Sequence, residues 1–164
     1  MDQSAPTTAP EWQTGQWFNS DRPLALGDLR GRVIALHAFQ MLCPGCVQHG
    51  IPQTQRIART FDPGQVAVVG LHTVFEHHEA MPPVALAAFL HEYRVTFPVG
   101  VDLPAADRPI PRTMAAYGMQ GTPTLILIDR WGRLRRQMFG AEDDMRVGAD
   151  IARLLSEQER TDDA

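Results

Sequence analysis

A strand-length run with one polar member, Val33-Ile34-Ala35-Leu36-His37-Ala38-Phe39, sets the strongest limit on the fold of this 164-residue chain. Seven residues are short for a helix, and the run lacks the in-and-out alternation of a half-exposed strand. It reads as a central strand covered on both faces, as in sheets with parallel strands and helices above and below. Residues 66–71 and 123–128 repeat the pattern. Helical spacing fills the gaps: Val47, Ile51, Ile57 and Phe61, then Leu86, Phe89, Leu90 and Tyr93, and last Val147, Ile151, Leu154 and Leu155. Gly50 and Pro52 predict a kink in the first helix, Asp62-Pro63-Gly64 ends it, and Glu142-Asp143-Asp144 suits the N-terminus of the last.

The smaller pieces follow from turn chemistry. Residues 17–26, punctuated by Asn19, Asp21 and Pro23, predict a hairpin ahead of the main fold. A short strand is expected at 97–101, a Pro-rich loop at 102–111, a short helix to Tyr117, and a turn at Asp129-Arg130-Trp131-Gly132 leading into Leu134–Phe139. Trp12, Trp17 and Trp131 read as packing residues. The expected architecture is α/β: one domain over 12–157, a central mixed sheet with helices on both faces, and unstructured ends at 1–11 and 158–164.

Charge and composition close several function classes. All fifteen basic residues are Arg, so lysine Schiff-base chemistry and a P-loop lysine are excluded. A formal charge of −4 draws the chain to neither phosphate backbones nor anionic membranes, the local Arg133, Arg135, Arg136 group aside. Neither nucleic acid nor membrane is the expected partner. No apolar stretch nears the roughly 20 residues that span a bilayer. The first eleven residues lack the basic region and apolar run of a secretory leader, which predicts a cytoplasmic address.

In a reducing compartment two cysteines are more often catalytic or metal-binding than structural. Cys43-Pro44-Gly45-Cys46 lies where the first buried strand passes into a helix, and its spacing of one helical turn lets a disulfide close with little backbone movement. A helix N-terminus favours an anion, which makes Cys43 the expected nucleophile. Cys46, one turn deeper, would attack the mixed disulfide and release the reduced partner. The competing reading is a zinc half-site with His49 as third ligand, but such sites want four ligands and there is no second cysteine pair. No metal is therefore expected, and the redox-active Cys43–Cys46 pair serves without a cofactor.

These features, with Leu29-Arg30-Gly31-Arg32-Val33, Gly121-Thr122-Pro123-Thr124 and Asp129-Arg130-Trp131-Gly132, resemble the thioredoxin superfamily over about residues 16–156. The likeness is to its TlpA-like and redoxin branch of thiol–disulfide oxidoreductases. It implies a thioredoxin-like fold with an N-terminal hairpin and a helical insertion after the second core strand. It also implies a cis proline at Pro123 facing the disulfide, with Thr122 offering its backbone to an extended substrate, and Pro44 and Gly45 completing the substrate surface. The plainer alternative is that Pro123 merely begins a strand.

Four departures from that pattern stand out. Leu42 replaces a frequent aromatic residue before the first cysteine. His37 stands where relatives often place a buried Asp or Asn, and could take the proton of Cys46, or simply be hydrogen-bonded in the core. His49 takes a place often held by Glu, where it could tune the thiols or be a half-exposed helix residue. Pro52 falls one residue later than the family's helix proline, which predicts a local bulge.

The leading function is protein disulfide reduction, with a disulfide-containing protein or small thiol as substrate, an unidentified electron donor, and a monomer as the working form. A peroxiredoxin-like peroxidase is the first alternative, with Cys43 peroxidatic, Cys46 resolving, and Gln40 in place of the Thr or Ser that orients peroxide. A copper-binding module is the second. His72, Glu76, His77, His78 and Glu79 follow the second buried strand and could hold a metal, although a solvated charged loop is the favoured reading.

Overall fold

The computed structural model describes residues 6–158. Six strands form one mixed sheet: β1 Thr14–Phe18, β2 Val33–Phe39, β3 Val66–His72, β4 Val99–Asp102, β5 Thr124–Ile128 and β6 Leu134–Phe139, in the order β1-β4-β3-β2-β5-β6. β2, β3 and β4 run parallel, joined through α1 Ile51–Thr60 and α2 Pro83–Glu92, while β5 and β6 return antiparallel. α3 Arg112–Ala116 precedes β5, and α4 Asp144–Ser156 closes the described chain.

The central strands are buried along their full length because both faces are covered. Period-two geometry divides them: Val33, Ala35 and Phe39 join the core with Ile57, Leu86 and Ile151, while Ile34, Leu36 and Ala38 join the opposite core with Leu29, Met114 and Tyr117. Each fully buried large apolar side chain contributes about 1.5–3 kcal/mol. His37 lies on the α1 face, in register with Gly70 and Leu125. Asp143 caps α4 by accepting hydrogen bonds from the Met145 and Arg146 amides, the use expected of the acidic run.

Two local expectations are corrected. No hairpin forms at 17–26: β1 is a single edge strand paired antiparallel with the distant β4, with Trp17 opposite Gly100. Asn19 spends its turn-forming character on that docking, adopting φ 56° and donating to the carbonyls of Val95 and Phe97. The N-terminal segment is also partly structured. Thr7 accepts from the Leu134 amide at 2.8 Å, and the buried Ala9 donates to Gly132 at 2.9 Å, so the edge of the β5–β6 turn supplies partners that local sequence does not reveal. Residues 1–5 and 159–164, to which the rest of the expected disorder applies, lie outside the described residues.

The expected kink takes a specific form. A helix begins at Pro44, widens into a π-turn over Cys46–Gly50, in which the Ile51 amide reaches back to the Cys46 carbonyl, and continues as α1. A proline inside a helix cannot donate and crowds the carbonyl four residues back. The widened turn just ahead of Pro52 absorbs one extra residue, the bulge that the displaced proline predicts.

Candidate redox site

β2 delivers the chain to the loop 40–43, and Pro44 starts the helix, so Cys43 sits at its N-terminus with its carbonyl accepting from the Cys46 and Val47 amides. Its thiol is half-buried. The Cys46 amide donates to Cys43 Sγ at 3.3 Å, and the Cys43 thiol lies 3.5 Å from the Thr122 carbonyl oxygen. The Cys43 sulfur thus accepts a backbone N–H at the start of the helix.

Cys46 differs sharply. It is fully buried, and both cysteines are free thiols. Burial first, and then the adjoining Cys43 thiol, push the Cys46 thiol up to about 12, while the Gln40 main chain and the Thr122 side chain work the other way. One sulfur is thus reachable from outside and the other only from within the site.

The Thr122–Pro123 bond is cis. Pro123 packs on the inter-cysteine segment so closely that a Cβ on Gly45 would lie 3.3 Å from Pro123 Cδ. Cys43, Cys46, Gly45, Thr122 and Pro123, separated by some eighty residues of chain, therefore form one cluster.

The histidines divide. His37 is completely buried, stacks on Phe39 at 5.6 Å, and has no hydrogen-bond partner on either ring nitrogen among the described residues. Burial, aided by nearby His49, lowers its pKa to about 3. That ring is a weak base, so the near-neutral basicity on which proton acceptance from Cys46 depends is not retained, and nor is the hydrogen-bonded core alternative. His49 bonds elsewhere: its Nε2 accepts from the Glu142 amide at 3.2 Å, next to Gln53, which donates to the Glu142 carbonyl and to Asp144. It ties the cysteine helix to the loop before α4.

Gln40 is also engaged away from the sulfur. Its buried amide accepts from the Phe75 N–H at 3.1 Å and donates to Glu76 at 3.4 Å, which corrects the expectation that it could orient peroxide. The His72 group is dispersed. Among the described residues no three His, Cys, Asp or Glu side chains gather as a metal site. His78 meets the Pro109 carbonyl at 3.2 Å, and His77 is exposed.

His72 has a use that sequence reasoning missed. Buried beside Phe39, its Nε2 accepts from the Met41 amide at 3.2 Å, pinning the loop that carries Cys43. Burial lowers its pKa to about 4. An unfolded chain protonates both histidines near pH 6.5, whereas the folded chain resists until about 4 for His72 and about 3 for His37. Between those limits the unfolded state binds more protons, so their contribution is full above pH 6.5 and is lost as pH falls towards the folded values. Each can steepen the decline by up to about 1.4 kcal/mol per pH unit. Urea unfolding at about pH 7 and about pH 5 should show a smaller loss for His72→Gln than for the parent protein. Equal losses would refute the role of His72.

A strand–Cys-x-x-Cys–helix junction faced by a cis proline, on a mixed sheet covered by helices, is the architecture of a thioredoxin-like fold. Among solved structures, a thioredoxin-like superfamily protein shares 60% identity at TM-score 0.91, covering 93% of this chain and 98% of the other. A thiol-disulfide isomerase from Corynebacterium glutamicum shares 49% at TM-score 0.87, covering 92% and 98%. A thioredoxin-like protein solved in its oxidised form shares 22% at TM-score 0.75, covering 94% and 98%, a likeness of fold alone. A scan against family models and a search of curated proteins return no match. The chain belongs to the thioredoxin-like superfamily, among its thiol–disulfide oxidoreductases.

Proposed function

We propose that this protein is a disulfide reductase that works through Cys43 and Cys46 alone, with no further cofactor. The observation that carries the reading is the asymmetry of the two sulfurs: Cys43 is reachable and accepts the Cys46 N–H, whereas Cys46 is enclosed with a raised pKa. The Cys43 thiolate attacks one sulfur of a substrate disulfide. A Cys43–substrate bond forms, the substrate S–S bond breaks, and the expelled thiolate takes up a proton. Cys46 then loses its proton and attacks Cys43 Sγ, so the second substrate thiol leaves and the protein holds a Cys43–Cys46 disulfide. Two electrons have passed to the substrate.

Loss of the Cys46 proton is the demanding step. Thr122 and the Gln40 main chain favour the Cys46 thiolate, and the departing substrate thiolate is a stronger base than the nearly non-basic His37. Thr122 with Pro123 forms the docking edge for an extended substrate segment, and Pro44 and Gly45 complete it. A dithiol donor refills the pair, the chain acts as a monomer, and the direction requires a reducing compartment such as the cytoplasm.

The direction is tested by equilibrating the Cys43–Cys46 couple in glutathione buffers and counting alkylated thiols. A potential below about −180 mV is expected. A higher one would make the protein an oxidant or isomerase instead.

A further inference from the structure

The strand β3 is longer than its neighbour β4. Gly70, Leu71 and His72 pair with Val99, Gly100 and Val101, whereas residues 66–69 have only β2 beside them. The ladder stops for a chemical reason. The Gly70 amide donates to the Pro98 carbonyl at 2.8 Å, but Pro98 has no N–H to offer the next carbonyl along the edge, that of Val68. Alternate residues of a strand turn their N–H and C=O to the same edge, so Val68 presents both groups on the side of Gly70, away from β2. No backbone group among the described residues meets them there. The chain ahead of Pro98 is held elsewhere, its Val95 and Phe97 carbonyls accepting from the Asn19 side chain.

A cleft of about 380 Å³ opens along this bare edge, a volume within the range of ligand sites. Leu29, Val66, Val68 and Phe97 supply apolar walls, and Ser20 and Arg32 supply polar groups. The cleft lies where β2 and β3 begin, at the end of the sheet away from Cys43, which follows the last residues of β2. Arg32 has no carboxylate partner among the described residues. Its Nη1 donates to the Pro63 carbonyl at 3.3 Å, while nearby Asp28 pairs with Arg22 and Asp62 accepts from the Gly64 amide. An unpaired main-chain donor and acceptor, apolar walls and an unneutralised guanidinium therefore line one cleft.

We propose that this cleft binds the C-terminal end of an extended apolar peptide supplied by a partner protein, at a site separate from the cysteine pair. The peptide main chain accepts from the Val68 N–H and donates to the Val68 C=O as a short added strand. Its terminal carboxylate pairs with Arg32, and its apolar side chains cover Leu29 and Phe97. The three features together select this class of ligand. A fatty acyl chain would leave both Val68 groups without a partner, an internal peptide segment would leave the guanidinium without one, and an acidic peptide would bury no apolar surface against Leu, Val and Phe.

The test uses the full chain and the peptide Ser-Val-Leu-Val, dye-labelled at its N-terminus, with binding read by fluorescence anisotropy. The peptide has no cysteine, so exchange at Cys43 plays no part. Three further probes are the same peptide with an amidated C-terminus, the same peptide with N-methylated backbone amides, and octanoate as a competitor. The free-acid peptide should bind saturably below about 1 mM. Amidation and N-methylation should each weaken binding at least about tenfold, as loss of a charge-assisted or a buried main-chain hydrogen bond does. Arg32→Gln should cost the free acid about the same factor and leave the amidated peptide within about twofold, a split that a general loss of structure would not produce. Ala58→Trp, which fills the cleft from an exposed position on α1, should abolish binding of every peptide. No saturable binding by the free acid, equal affinities for acid and amide, binding that survives Ala58→Trp, or octanoate binding as tightly as the peptide would each overturn the proposal.

Discussion

Cys46→Ala is expected to turn the protein from a catalyst into a trap: intact-mass measurement should show a substrate adduct on Cys43 that persists until a strong reductant is added. The argument rests on location. Cys43 keeps the Cys46 backbone N–H at 3.3 Å in the variant, so the first attack proceeds. In the proposed exchange the buried Cys46 supplies the second sulfur from inside the site. A tethered group acts at an effective concentration of millimolar or more, so with external thiol held at about 10 µM release should slow at least about 100-fold. The loss of one buried sulfur is a small perturbation of the core beside that effect. Prompt release of the adduct would mean that Cys46 is not the resolving thiol and that the mechanism proposed above is wrong.

Gly50→Ala is expected to destabilise the protein by about 1–3 kcal/mol, against the trend for helices. Gly50 has φ −63°, an ordinary helical value, and an alanine there would normally add about 0.5–1 kcal/mol of stability. Packing reverses the sign. A Cβ at this position would lie 2.4 Å from His37 Nε2, 2.9 Å from His37 Cε1 and 2.9 Å from Pro123 Cβ. His37 has little room to yield, fixed on the central strand and stacked on Phe39. Because Pro123 is the other wall, the substitution should also slow exchange at Cys43. The double variant with His37→Ala should recover part of the lost stability, a coupling of about 0.5–3 kcal/mol readable by urea unfolding. A more stable Gly50→Ala protein would show that the crowding around His37 is illusory.

That crowding explains why part of the site was legible in sequence and part was not. Cys43 and Cys46 could be read directly, because four consecutive residues at a strand-to-helix junction contain both sulfurs and the spacing that joins them. Pro52 signalled the π-turn, since a misplaced helix proline needs a local accommodation. His37 was visible as an oddity in an apolar run. Its chemistry was not, because a histidine's basicity is set by what surrounds it, and those surroundings include Gly50, Phe39 and His49. His72 was grouped with its polar neighbours in sequence, whereas in space its partner is the amide of Met41, thirty-one residues earlier. Phe139 had no sequence signal at all: it is one of three apolar residues on β6, and only the fold sets its ring against Gly121.

By itself the sequence determined the elements whose information is local and redundant. Continuous apolar runs specified the central strands β2, β3 and β5, periodic ones the helices, and the cysteine spacing the candidate redox pair, because each is written into adjacent residues. Tertiary structure alone decided which edge β1 would join, that the segment around Ala9 would pair with the β5–β6 turn, and that burial would weaken His37 and His72 as bases. The reason is common to all three. Edge pairing, desolvation and side-chain contact depend on groups far apart in the chain, and their free energies exist only once the sheet has brought those groups together.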